Sequence, residues 1–179
     1  MYFPQIIKTG RLVLIPFSEK TISQKYLNWL NDKDVNQYLE IKDAYTMDKL
    51  SQYINSMIEN NIMIWEIHLN DTNEHLGNIK IDPLNISSGT GEYGILMGDK
   101  TQWGKGYAKE ASLAVIDFCF NKIGLRKITL GVISENISAV NLYKSLGFEL
   151  EGTFKYHGFY NGKWCSCLRM TLFNNQFSY

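Results

Sequence analysis

Between Tyr93 and Phe120 the chain passes from a strand-like run, Tyr93-Gly94-Ile95-Leu96-Met97, through the turn Gln102-Trp103-Gly104-Lys105-Gly106. It then enters a segment in which Ala108, Ala111, Val115, Ile116, Cys119 and Phe120 fall at helical spacing. Strand, glycine turn and helix in this order make an anion trap. A helix start leaves backbone N–H groups unpaired at the positive end of its dipole, and Gly104 and Gly106 permit positive φ and close approach. A phosphate ester is the expected ligand. Two familiar nucleotide loops fit poorly: no G-x-x-x-x-G-K-[ST] is present, and Gly104-x-Gly106 is followed by Lys109 where a dinucleotide fingerprint needs its third glycine.

A second informative stretch is Asn136-Ile137-Ser138-Ala139-Val140-Asn141-Leu142-Tyr143-Lys144-Ser145-Leu146-Gly147-Phe148. The glycine turn resembles the acetyl-CoA loop of the GNAT superfamily of N-acetyltransferases, [QR]-x-x-G-x-[GA], met here as Trp103-x-x-Gly106-x-Ala108 with Trp103 in place of Gln or Arg. The second stretch resembles the same family's N-x-x-[AS]-x-x-L-Y-x-x-x-G-F, and the two occur in the family's order. The opening Thr9-Gly10-Arg11-Leu12-x-Leu14-x-Pro16, together with W-G-K-G-Y-A at Trp103–Ala108, is similar to the branch that includes the ribosomal-protein N-terminal acetyltransferases. In that branch a W-x-N-D-x-E-V segment covers the acceptor side. Here it reads from Trp29 to Val35, with Asp34 in place of the glutamate.

The resemblance implies acetyl-CoA as co-substrate. Its pantetheine arm is expected to lie as an added strand on the main chain of Ile95, Leu96 and Met97. The pyrophosphate is expected on the loop formed by Trp103, Gly104, Lys105, Gly106, Tyr107 and Ala108, with Asn136 and Asn141 holding the pantetheine amides and the CoA backbone. Tyr143 stands at the family's general-acid position, where it would protonate the departing thiolate. Glu92 stands where the branch commonly carries a glutamate and is the expected base, acting directly or through water. His157 is the rival base or a pocket-lining residue, and Trp29 is either an acceptor contact or core. His68 and His75 read as structural, and no metal is expected.

The implied reaction is acetyl transfer to a primary amine. A protein N-terminus is the first acceptor to consider, with an amino sugar or another small amine as the alternative. A non-catalytic acyl-CoA sensor is the reading from a different class.

Composition bounds the rest. The 179 residues fit one domain over 1–179, and the hydrophobic share of 45% suits a folded core. Lys plus Arg and Asp plus Glu balance at 18 each, so no net field favours nucleic acid or an anionic membrane. No signal pattern or spanning apolar run is legible, which gives a cytoplasmic expectation, as monomer or homodimer. The odd count of 3 cysteines suits a reducing compartment, and Cys165 and Cys167 lack the companions of a zinc site.

Strand patterns at 11–16, 62–69, 76–81, 93–97, 128–132, 148–156 and 164–173 predict an α/β (α+β) fold with a mixed, mostly antiparallel sheet of about seven strands and helices on both faces. The fourth and fifth strands are joined through a helix, so they run parallel, and a ligand enters where they splay. Thr46 is expected to cap a helix ending at Asn60-Asn61, Asn136 to cap the signature helix, and Asn161-Gly162 to turn the last hairpin. The polar stretch from Asn85 to Gly91 is expected to be a mobile loop.

Overall fold

The computed structural model describes residues 3–41 and 43–177. One sheet organises them, with strands β1 (Ile7–Lys8), β2 (Leu12–Pro16), β3 (Met63–Leu69), β4 (His75–Asn85), β5 (Thr90–Met97), β6 (Lys127–Ile133), β7 (Glu149–Tyr160) and β8 (Lys163–Phe173). Their order is β1-β2-β3-β4-β5-β6-β8-β7, and every neighbouring pair is antiparallel except β5 with β6. The strand beyond the expected seven is β1, two residues long and too short for an alternating pattern to show. The expected parallel pair is β5 and β6.

Among the described residues five α-helices flank the sheet: α1 (Gln24–Asn31), α2 (Lys33–Asn36), α3 (Met47–Glu59), α4 (Tyr107–Asp117) and α5 (Ile137–Ser145). Polar residues start them. Ser23, Asp32, Thr46 and Asn136 accept N–H bonds from Tyr26, Asp34, Lys49 and Ala139, each satisfying a donor the helix leaves open. Helix α4 instead begins on Gly106, at φ 82°, and runs on through a π-helical turn, Phe118–Ile123.

Strand β3 shows why the helices lie where they do. Met63, Trp65 and Ile67 join one core with Val115, Cys119, Val140 and Tyr143 from α4 and α5. Ile64, pointing the other way, joins a second core with Tyr26, Trp29, Leu50 and Ile54 from α1 and α3. Six consecutive residues of β3, Met63–His68, are therefore buried, as expected for a strand covered on both faces. Trp65 is fully buried and donates its indole N–H to the Gln5 carbonyl at 2.8 Å.

One loop differs from its expectation. The polar stretch after Asn85 is a tight turn between β4 and β5: Asn85 Oδ1 accepts from Ser87 Oγ at 2.8 Å and Ser88 N at 3.0 Å, and Gly89 takes φ 63°. The Asn side chain supplies the turn's bonds, so the segment needs no freedom. The final hairpin turns as expected, with Asn161 and Gly162 at φ 51° and 78°.

Candidate active site

Strands β5 and β6 pair only at Thr90 with Lys127, Gly91 with Ile128 and Glu92 with Thr129. Beyond that rung β5 stays with β4 as far as Met97, and β6 stays with β8 as far as Ile133. The sheet therefore opens into a wedge with main-chain polar groups along its facing edges, which an extended ligand can pair. A cleft of about 810 Å³ fills the wedge. Along it lie Ile95, Leu96 and Met97 on one side, Gly131–Ile133 on the other, and Leu142 and Tyr143 of α5 with its capping residue Asn136.

The glycine loop closes one end. Gly104 and Gly106 have φ 76° and 82°, and a side-chain carbon added at Gly104 would meet nothing within 4 Å. Trp103, Gly104, Gly106, Tyr107 and Ala108 line the cleft, whereas Lys105 is not among the lining residues and its Nζ donates to Gln102 Oε1 at 2.7 Å. Trp103 fills the family's Gln or Arg position differently: its indole N–H donates to the Met97 carbonyl at 2.9 Å, fastening the loop to the end of β5. An open helix start beside an open strand edge suits a diphosphate joined to an amide-bearing arm.

Tyr143 sits at the apex, 7% exposed, with its ring edge-on to Tyr93 (5.8 Å) and Phe148 (5.9 Å). Its hydroxyl makes no hydrogen bond among the described residues, while the neighbouring Tyr93 hydroxyl is taken by Ser112 at 2.6 Å. Burial pushes the Tyr143 phenol up to about 12, so it keeps its proton and can act as a donor but not as a base.

Glu92, the expected base, lies apart from the cleft. It lies on the last paired rung, facing a separate groove with Pro83, Leu84 and Thr129, and it is absent from the cleft lining. Both its oxygens are held by Arg169, Nη1 to Oε1 and Nη2 to Oε2 at 2.8 Å each, and these bonds hold its carboxyl below the ordinary range. Trp29 also lies outside the lining: it is 7% exposed, stands edge-on to His75 at 4.8 Å and presses against Gly98, supporting the wall from behind. Asn141 is exposed on α5 and lies away from the cleft, and Asn136 lines it while its Oδ1 caps the helix.

His157 does reach the cleft, by a device the sequence pattern hides. The β7–β8 ladder breaks between Phe154 and Gly158, and Tyr156 takes φ 51° in the resulting bulge. The segment read as covering the acceptor side does so through Asp34 and continues along the cleft to Glu40, while Gly131–Ile133, Tyr160 and Cys167 are lining residues that sequence reading missed. Asp34, Tyr38 and Glu40 form the outer wall with Tyr160 and Cys167. This wall is tied at both ends: Lys100 bridges Asp32 and Asp34 at 2.7 and 2.8 Å, and the Tyr38 hydroxyl donates to the Glu135 carbonyl at 3.1 Å.

Among the described residues, the groups within ligating reach of one another are Glu66, His68 and His75, within 4.8 Å. His68 Nε2 lies 2.7 Å from Glu66, and the two imidazoles stack at 4.8 Å and 5°. His75 Nδ1 lies 3.7 Å from the same Glu66 oxygen and its Nε2 lies 2.9 Å from Asn78 Oδ1, so the three form a hydrogen-bonded cluster against Trp29 of the second core. No helix among the described residues is long and apolar enough to cross a membrane.

Residues 11–149 match the acetyltransferase (GNAT) domain family. The chain belongs to the GNAT acetyltransferase family. It is 32% identical over 104 residues to the spermidine N(1)-acetyltransferase of Escherichia coli K12, a match that covers 58% of this chain and only 55% of that relative. It is 30% identical over 129 residues to the N-acetyltransferase p20 of Bacillus licheniformis, covering 70% and 72%. The fold superposes on the crystal structure of spermidine N-acetyltransferase from Vibrio cholerae in complex with CoA and spermine, with a TM-score of 0.83 at 24% identity, covering 92% and 96%. A structure described as a ribosomal-protein-serine acetyltransferase from Vibrio cholerae gives 0.78 at 20%, covering 97% and 100%. The GNAT domain carries acetyl-CoA as co-substrate, and the wedge, the glycine loop and the unpaired Tyr143 hydroxyl are the parts of this chain that fit it.

Proposed function

We propose that the protein transfers acetyl from acetyl-CoA to a primary amine of a small, positively charged molecule of the spermidine type. The observation that carries this acceptor class is the outer wall. Asp34 and Glu40 place two carboxylates at the cleft, and the Tyr38–Glu135 and Lys100–Asp34 contacts close it into a pocket. A carboxylate-lined pocket attracts ammonium groups. Resemblance to the spermidine acetyltransferases points the same way.

In this reading the pantetheine arm pairs with Ile95, Leu96 and Met97, and main-chain N–H groups there steady the oxyanion as the amine nitrogen bonds to the acetyl carbon. Tyr143 donates its proton as the C–S bond breaks, and the proton that the adduct nitrogen gives up passes through water to restore the phenol. The ammonium proton leaves through water, with His157 one of the cleft-lining groups that can relay it, while Glu92 is held by Arg169 outside the lining.

The test is an amine panel containing spermidine, N-terminal peptides, amino sugars and aminoglycosides, followed by thiol release and by product mass. Acetylation of spermidine-type amines is expected. Acetylation confined to peptide N-termini or amino sugars would replace this acceptor class. Binding of acetyl-CoA without turnover of any amine would favour a sensor.

A further inference from the structure

We propose that Arg11 is a positioning residue that sets the glycine loop for the CoA diphosphate, an inference that rests on the diphosphate lying at Gly104–Ala108. Arg11 reaches this loop from a turn 94 residues away in sequence, where its Nη1 donates to the Lys105 carbonyl at 3.0 Å. Its Nε is held by Glu110 Oε2 at 2.6 Å, and its guanidinium lies over the Tyr107 ring, 4.5 Å from the centroid. Glu110 is itself fixed, because Oε1 accepts from Thr9 Oγ1 at 2.6 Å and from Arg11 N at 2.8 Å. A side-chain carbon at Gly106 would come within 3.6 Å of Arg11 Nη2.

The consequence follows from peptide geometry. The Lys105 carbonyl and the Gly106 N–H belong to one planar trans unit, so they point in opposite directions. Holding the carbonyl outward turns the Gly106 N–H inward. The arrangement matches this: Gly106 lines the cleft, and neither Lys105 nor Arg11 does. The loop requires such a clamp, since Trp103–Gly106 are all exposed and two of them are glycines at positive φ, free to take other conformations. Without Arg11 the Lys105–Gly106 peptide can rotate and present a carbonyl oxygen to the phosphates. Arg11 contributes orientation rather than contact, paid for once when the chain folds.

The experiment compares acetyl-CoA with S-acetyl-pantetheine, which lacks the diphosphate, in the parent, Arg11→Met, Arg11→Lys and Glu110→Gln. Arg11→Met is expected to weaken CoA binding by calorimetry about tenfold and to raise KM for acetyl-CoA equally, with kcat at saturation falling far less. Its kcat/KM for S-acetyl-pantetheine should stay within about twofold of the parent. Glu110→Gln should move in the same direction by a smaller factor, and Arg11→Lys should recover part of the loss. Unchanged CoA affinity in folded Arg11→Met, or equal losses with both thioesters, would overturn the clamp. If Arg11→Met does not fold, Glu110→Gln carries the same comparison. A parent protein that fails to bind CoA would instead remove the placement of the diphosphate itself.

Discussion

Glu92 and Arg169 form a two-pronged ion pair across 77 residues of sequence, with both nitrogen–oxygen distances at 2.8 Å. The pair joins β5 to β8 beside the last rung before the sheet opens, so it fixes where the wedge begins. Glu92→Gln should therefore lower stability by about 1 kcal/mol at neutral pH, the figure for a well-formed but partly exposed pair, and leave kcat nearly unchanged. Because Arg169 lowers the folded-state carboxyl below its unfolded value of about 4.3, the pair's contribution is fully present above that pH. It fades as pH falls through the lowered folded value. Denaturant midpoints at pH 7 and pH 3 should differ more for the parent than for Glu92→Gln. If turnover instead drops by about two orders of magnitude or more while stability holds, Glu92 is restored as the base.

Trp29 is expected to act through packing. A side-chain carbon at Gly98 would lie 1.9 Å from the Trp29 ring, so Gly98→Ala should destabilise by about 1–3 kcal/mol through overpacking at the foot of β5. The milder Trp29→Phe should lower the melting temperature while leaving the acceptor KM near the parent's. A KM change of tenfold or more, with stability intact, would make Trp29 an acceptor contact.

Glu40 tests the acceptor wall. It is exposed at the cleft with no ion pair among the described residues, whereas Asp34 is partly neutralised by Lys100. Glu40→Gln is expected to raise the KM for spermidine by about tenfold, the worth of one charge-assisted contact, without altering the KM for acetyl-CoA. Equal KM values for spermidine in parent and variant would remove Glu40 from recognition.

The two signature stretches were legible because each is local. The glycine turn and the Asn136–Phe148 helix carry caps and apolar spacing within about a dozen positions, and both elements form as read, although Lys105 and Asn141 fall outside the cleft lining. What escaped depends on distant partners. The side chain of Glu92 is decided by strand parity and by Arg169, neither of which its neighbours reveal. His157 enters the cleft only because a three-residue break in the β7–β8 ladder, with Tyr156 at φ 51°, interrupts the alternation. Beyond Val35 the 34–40 wall has no periodicity of its own, and the wall is held in place by Lys100 and by the Glu135 carbonyl.

The most direct test of the account removes one oxygen from the apex of the wedge. Tyr143→Phe keeps the ring and its contacts with Tyr93 and Phe148, and it removes a hydroxyl that no described residue bonds. Acetyl-CoA affinity and stability should stay close to the parent's. Single-turnover acetyl transfer to the acceptor found in the amine panel, measured so that product release cannot mask the step, should fall by about 10²–10⁴-fold. A variant that binds acetyl-CoA normally and transfers acetyl at the parent's single-turnover rate would contradict the central claim that Tyr143 supplies the proton to the leaving thiolate.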